Sequence, residues 1–504
     1  MTAQLTTPQT TLSYDQDAWK TGYRSLKQEY EYWIDDIEGT IPTALRGTVF
    51  RNGPGMLDVN GERVNHPFDG DGMICAITFV DGRAHFRNRY VRTEGFQAEQ
   101  KAGKILYRGV FGTQRSGGAL ANLFDFRLKN IANTQVIYWG KKLLALWEAA
   151  EPHRLNPATL ATEGLEYFDG QLAVGEAFAA HPWIDPSSKL DDGRPTLVNF
   201  AIKSGLSFTL TLYELNLAGK MIAKYDYPLP GFAFIHDFAV TPNYCIFFQN
   251  AVQFNPLPFV FGQKGAGECI KFQPDKPAKM IVIPRGGGQP EIYDMQAGFV
   301  FHHANAFETA QGITVDSVCY ADIPQLDVGS DFLEVNFQAL KPGELWRFKL
   351  DRATGQVENE LKLARCCEFP MVHPALVGQA YRYVYLGAAH QANGTNAPLQ
   401  GIVKVDMQTG EETLWSAAPI GYTSEPVFIP RSQPDAATGC YTQVEGAEDD
   451  GWLVVLIYDG QQHRSAIVIL DAQTMQQVAR LNLKHHVPYG LHGTFTPETF
   501  ISAA

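Results

Sequence analysis

A strand–turn–strand unit recurs through this chain and constrains its fold more than any other feature. It appears as HRLNPATLAT, YELNLAGKMI, FKLDRATGQVE, VKVDMQTGEET and VILDAQTMQQV, each an apolar strand, a polar turn of Asp, Asn, Thr or Gly, and a second strand. The units fall near Leu155, Leu215, Leu350, Val405 and Leu470, at intervals of 60, 135, 55 and 65 residues, and the interval of 135 is close to two units. A period near 60 residues with about four strands fits an enlarged propeller blade, and seven of them would occupy most of the 504 residues. Other runs, among them MICAITFV, QVIYWGKKLLALWEAA, LTLYELNL, GITVDSVCYA, YRYVYLGAA and WLVVLIYD, are rich in β-branched and aromatic residues and bounded by Gly, Pro, Asn or Asp. Few segments keep a helical period; the exception is a short helical stretch expected around DAWKTGYRSLKQEYEYW, residues 17–33. The expected fold is all-β, with residues 1–12 a loose Thr/Gln-rich tail and residues 13–504 a single domain.

Composition narrows the function classes. Hydrophobic residues make up 45% and charged ones 19%, as in a soluble protein with a large core. A net charge of −13 without a Lys/Arg stripe argues against nucleic-acid binding. No stretch approaches the roughly 18 apolar residues of a membrane span, so any membrane contact is expected to be peripheral. The start MTAQLTTPQTTLSYDQ lacks the regions of a signal peptide, and the seven cysteines are scattered, so a cytoplasmic protein without structural disulfides is expected. No obligate protein partner is evident.

Several familiar motifs fail. PRGGGQP and FGQKGAGE match neither a phosphate loop nor a dinucleotide fingerprint and are expected to be surface turns. FDGDGM begins like a calcium loop, but Val80 stands where the bidentate Glu is needed, so a tight turn is expected. There is no HExxH and no GxSxG. None of the 13 histidines has Asp or Glu two residues later, which removes the usual two-His, one-carboxylate iron triad.

A set of polar residues in apolar surroundings does follow the blade period. His181, His236, His302, Glu368, Glu425 and His492 are separated by 55, 66, 66, 57 and 67 residues, one per blade. Taken singly, a histidine among aromatics is more often a hydrogen-bonded core residue. In a propeller, however, the innermost strand of every blade lines the axis, so residues at the blade period converge. Four imidazoles meeting there make a metal site suited to Fe, Zn, Cu or Ni, and carboxylates can accept the second ring N–H to orient them. Glu148, in LALWEAAEPHRL, is a further carboxylate of this kind.

The segments GTVFRNGPG, HPFDGDGM, KNIANTQVIYWG, LLALWEAAEPHRL, GFAFIHDFAVTP, FVFHHANAFE, ELWRF, CCEFPMVHP, SEPVFIP, DDGWLVVLIYD and LKHHVPYGLHGTF together resemble the carotenoid cleavage oxygenase family, nearest its cyanobacterial apocarotenoid-cleaving members. The resemblance implies a seven-bladed β-propeller under a loop and helix cap, with an Fe(2+) ion held by His181, His236, His302 and His492. It also implies outer glutamates at Glu148, Glu368 and Glu425, and Thr134 beside an open coordination position. The implied reaction is O2-dependent cleavage of an all-trans apocarotenal or apocarotenol at its 15,15' bond, giving retinal and a shorter dialdehyde or hydroxyaldehyde. Asymmetric carotenoid cleavage, stilbenoid cleavage, retinoid isomerohydrolysis and a metal-free scaffold are the alternatives. Phe68, Trp147 and Phe301 adjoin the matching motifs and are the expected lining of a substrate tunnel. Because a polyene partitions into lipid, peripheral membrane docking is expected, through the apolar segments 108–124 or 254–262. In FVFHHANAFE neighbouring side chains of a regular strand face opposite ways, so only one histidine should face the axis; the FHxxNxFE pattern and the spacing of 66 residues on either side favour His302, leaving His303 to a structural hydrogen bond.

Overall fold

The computed structural model describes residues 13–203, 208–324 and 331–501; the tail expected at 1–12 lies outside them. Unbroken apolar runs become strands buried on both faces, because each blade is covered by a neighbour on either side. Asp71–Val80, Gly312–Tyr320 and Gly451–Asp459 are of this kind. Outer strands such as Gln356–Leu363 are largely exposed and correspondingly polar.

These strands form seven antiparallel blades around an axis, as expected. Blades 2 to 6 are simple meanders of four strands, with inner strands Gln135–Trp139, Trp183–Ser188, Ala239–Val240, Phe299–Glu308 and Cys367–Met371. Blades 1 and 7 are shared between the chain ends. The late strand Gly493–Thr496 is the inner strand of blade 1, pairing Thr48 with Thr496 and Arg51 with Gly493. The early strand Ile37–Gly39 adds the outer edge of blade 7, whose inner strands are Gly421–Thr423 and Val427–Pro430. Each end of the chain thus fastens the opposite end, and the ring closes without a free seam.

The core lies in layers between blades. Ile246, Phe248, Met280 and Val282 of blade 4 pack on Val315, Ile313 and Phe348 of blade 5, with Phe248 edge-on to Phe348 at 5.2 Å. Polar staples cross other layers. Arg285 is buried between blades 3 and 4 and donates to Asp185, to Glu214 at 2.6 Å and to Ser188 at 3.1 Å.

The recurrent units are the hairpins joining the third and fourth strands. The interval of 135 hides one more, Ala278–Pro284 and Glu291–Met295, whose turn is PRGGGQP. FGQKGAGE departs from the expected surface turn: Gly265 is buried, and a Cβ there would stand 2.4 Å from the Gly112 nitrogen. The helix expected at 17–33 is also shorter than its pattern. It covers Gln16–Thr21, capped by Asp15, and stops where Gly22 meets the Tyr489 ring. Glu31–Trp33 becomes an edge strand instead, because Glu31 pairs with Arg87 at 2.7 Å and Arg89 at 2.9 Å on the adjacent strand.

Candidate metal centre

Every inner strand carries a polar residue at or near its start. Thr134 precedes Gln135–Trp139, His181 precedes Trp183–Ser188, and His236 precedes Ala239–Val240. His302 and Glu368 lie early in their inner strands, Glu425 precedes Val427–Pro430, and His492 precedes Gly493–Thr496. Thr134 is therefore the axial residue of blade 2, although its 47-residue distance to His181 hides it from the period.

The four histidines converge. One ligand nitrogen from each lies within 4.8 Å of the others, and His181 Nε2 is 2.9 Å from His236 Nε2. A cation with nitrogen bonds of about 2.1 Å would keep its donors about 3 to 4 Å apart, so the cluster needs only small adjustment to hold one. The nitrogen His302 Nε2 is buried without a hydrogen-bond partner, a costly state that a cation relieves. The residues present fit a metal.

Three of the histidines are oriented from behind. His236 Nδ1 bonds Glu148, His302 Nδ1 lies 2.6 Å from Glu368, and His492 Nδ1 lies 2.8 Å from Glu425. With Nδ1 engaged, each ring turns Nε2 toward the centre. The carboxylates are held in turn: Tyr320 donates to Glu368 at 2.7 Å, the Gly493 N–H to Glu425 at 2.7 Å, and Arg51 to the Glu425 carbonyl at 2.7 Å.

Burial, with repulsion from the neighbouring imidazoles, holds His181, His236 and His492 well below the ordinary imidazole pKa, leaving their lone pairs free. At His302 burial acts the same way but is outweighed by the Glu368 carboxylate, and the pKa is raised. Burial lifts Glu425 to about 7 against the pull of Arg51.

His303 turns away from this centre. Its Nδ1 lies 2.7 Å from Ser317 Oγ on the adjacent strand, and its ring meets Phe248 edge-on. The strand is irregular, with register shifts on both sides of His303, yet the two histidines still face opposite ways.

Of the expected tunnel residues, Phe301 reaches the cluster, its ring 5.5 Å from His236 and 4.7 Å from Phe299. Trp147 is buried beside Glu148 and lines a small cavity with Asp71, Glu99 and Lys129. Phe68 is half-exposed and packs on Phe111 at 5.5 Å. Thr134 is buried, and its carbonyl accepts the His492 N–H at 3.2 Å. Sequence reasoning missed Tyr320, Arg51 and Phe369. The Phe369 backbone is left-handed at φ 57°, which lays its ring 5.6 Å from His302 and 5.2 Å from His492. Only its position after Glu368 hinted at that.

The two apolar segments form one surface. Arg108 is buried between them and donates to the carbonyls of Asp125 at 2.8 Å, Phe259 at 2.9 Å and Lys264 at 2.6 Å. Leu120, Phe124, Phe126, Leu257 and Phe261 stand exposed on it. No helix among the described residues is long and apolar enough to cross a membrane.

Four axial histidines, three of them backed by carboxylates, define this propeller's centre, and the comparisons say which proteins it is similar to. The family described as retinal pigment epithelial membrane protein matches residues 23–497. The chain is 55% identical over 486 residues to apocarotenoid-15,15'-oxygenase of Synechocystis, covering 96% of this chain and 97% of the relative. It is 28% identical to carotenoid 9,10(9',10')-cleavage dioxygenase 1 of Arabidopsis thaliana, covering 92% and 86%. Among solved structures, cobalt-substituted Synechocystis ACO superposes with a TM-score of 0.92 at 55% identity, covering 96% of this chain and 99% of that one. The chain belongs to the retinal pigment epithelial membrane protein family, the carotenoid cleavage oxygenases.

Proposed function

We propose that this chain is a non-haem iron(II) dioxygenase that cleaves the 15,15' double bond of all-trans apocarotenals and apocarotenols, yielding retinal and a shorter dialdehyde or hydroxyaldehyde. The observation that carries the reading is the convergence of His181, His236, His302 and His492, with the buried His302 Nε2 unbonded. The bond position rests on the relative at 55% identity, against 28% for a relative named for 9,10 cleavage.

His181, His236, His302 and His492 would hold iron(II), which when bound would supply the activation of O2. The chain's own residues do the rest. Glu148, Glu368 and Glu425 fix the ring directions by accepting at Nδ1 and stay behind the imidazoles without occupying a donor position. Thr134, bonded beside His492, narrows one approach to the centre. Phe301, Phe299, Phe234 and Tyr320 make an aromatic wall next to His236 that excludes water, and their faces steady positive charge developing along a polyene. The apolar surface around Phe124 and Phe261 docks on a lipid bilayer, where such a substrate resides.

The test is purification followed by incubation with an apocarotenal in air. Near-stoichiometric iron, with loss of the long-polyene absorbance and consumption of O2, is expected. An iron-free protein, or an unchanged polyene, contradicts the reading.

A further inference from the structure

A second approach to the histidine cluster runs along the propeller axis. A cavity of about 470 Å³ is lined at one end by His181, His302, His492 and Glu425. At the other end it is lined by the exposed residues Lys141, Ala437, Gly439 and Glu498. Chain direction explains its course. The inner strands begin at the metal-site residues and end at the opposite face, where Trp139 leads to Lys141 and Thr496 leads to Glu498. Inner strands such as Gln135–Trp139, Trp183–Ser188 and Gly493–Thr496, rising about 3.3 Å per residue, make a shaft roughly 15–20 Å deep. The cavity does not touch Phe301, Glu148 or Thr134, so it reaches the cluster from another side than the aromatic wall.

The two approaches differ in chemistry. The Phe301 side is a wall of aromatic rings. The axial side sets Gln135, Asp237, Glu425, Thr494, Thr438 and Glu498 as polar stations among apolar residues such as Ile137, Trp183 and Phe428, with room for ordered waters at about 30 Å³ each. A polyene and O2, both apolar, suit the first. A hydrated divalent cation would lose its water there with nothing in return, whereas carboxylates, hydroxyls and water can hand it along the second. We infer that the axial shaft is the route by which the metal ion enters and leaves the four-histidine centre, with Glu498 as the acidic residue at its mouth. The inference rests on the metal-centre reading above.

The probe is Co(2+) added anaerobically to metal-free protein prepared with a chelator, the rate of uptake being followed in the wild type, Glu498→Lys and Ala437→Trp. Both substituted positions are exposed and outside the centre. Uptake should slow by about tenfold in Glu498→Lys at low salt and recover as salt is added, the behaviour of electrostatic guidance. Ala437→Trp should slow uptake at every salt concentration. Final occupancy, and the KM for apocarotenoid of protein reloaded with iron, should match the wild type in both variants. Equal uptake rates in all three proteins would overturn the route while leaving the metal centre intact. A wild-type chain that takes up no metal would remove the centre itself, and the route with it.

Discussion

At the scale of single residues, the adjacent pair His302 and His303 separates metal ligation from structural hydrogen bonding. His302→Ala should lose bound iron, while His303→Ala should retain it and lose only the bond to Ser317; metal per chain measured by mass spectrometry checks both. Glu368→Gln keeps the side-chain shape but removes the charge behind His302, and iron affinity or turnover should fall about 10- to 100-fold. Unchanged occupancy and rate in that variant would remove Glu368 from the site. Much of this was legible in the sequence, because the family's motifs and the blade period mark the same six axial residues, and the FHxxNxFE pattern with the spacing of 66 favours His302 over its neighbour. Glu148 was not periodic, since it follows the second strand of blade 2 and reaches His236 across a loop. Tyr320 and the left-handed Phe369 were invisible, because an ordinary strand tyrosine and a backbone φ leave no mark on a residue pattern.

At the scale of elements, apolar runs announced the strands, and polar turns with Gly or Asp announced the hairpins. The misjudged pieces were those decided by distant partners. The helix expected at 17–33 is short because Glu31–Trp33 is held in an edge strand by Arg87 and Arg89, and in FGQKGAGE Gly265 packs closely against Gly112. The buried staple between blades 3 and 4 shows what such long-range contacts are worth. Arg285→Met would leave Asp185 and Glu214 buried without their cation, a loss of about 3–5 kcal/mol. A lowered urea or thermal midpoint should report it, with iron occupancy retained in the protein that remains folded. An unchanged midpoint would show that water already solvates these carboxylates.

At the scale of the whole molecule, the period predicted the ring, but not how the ring closes. Gly493–Thr496 joins blade 1 and Ile37–Gly39 joins blade 7, pairings between chain ends that no local pattern encodes. The apolar surface is likewise a product of assembly: segments 108–124 and 254–262 are separate apolar stretches in the sequence, and Arg108 bonds them into one. Phe124→Asp with Phe261→Asp should abolish sedimentation with lipid vesicles and leave turnover of detergent-dispersed substrate intact. Sedimentation at the wild-type level would show that this face does not meet lipid. The measurement that reaches furthest into the account is identification of the products, by chromatography and mass, after reaction of the iron-loaded protein with a panel of all-trans apocarotenals and apocarotenols in air. Retinal together with the complementary shorter dialdehyde or hydroxyaldehyde is predicted for each substrate cleaved. Fragments from any other double bond, or an intact polyene throughout, would contradict it.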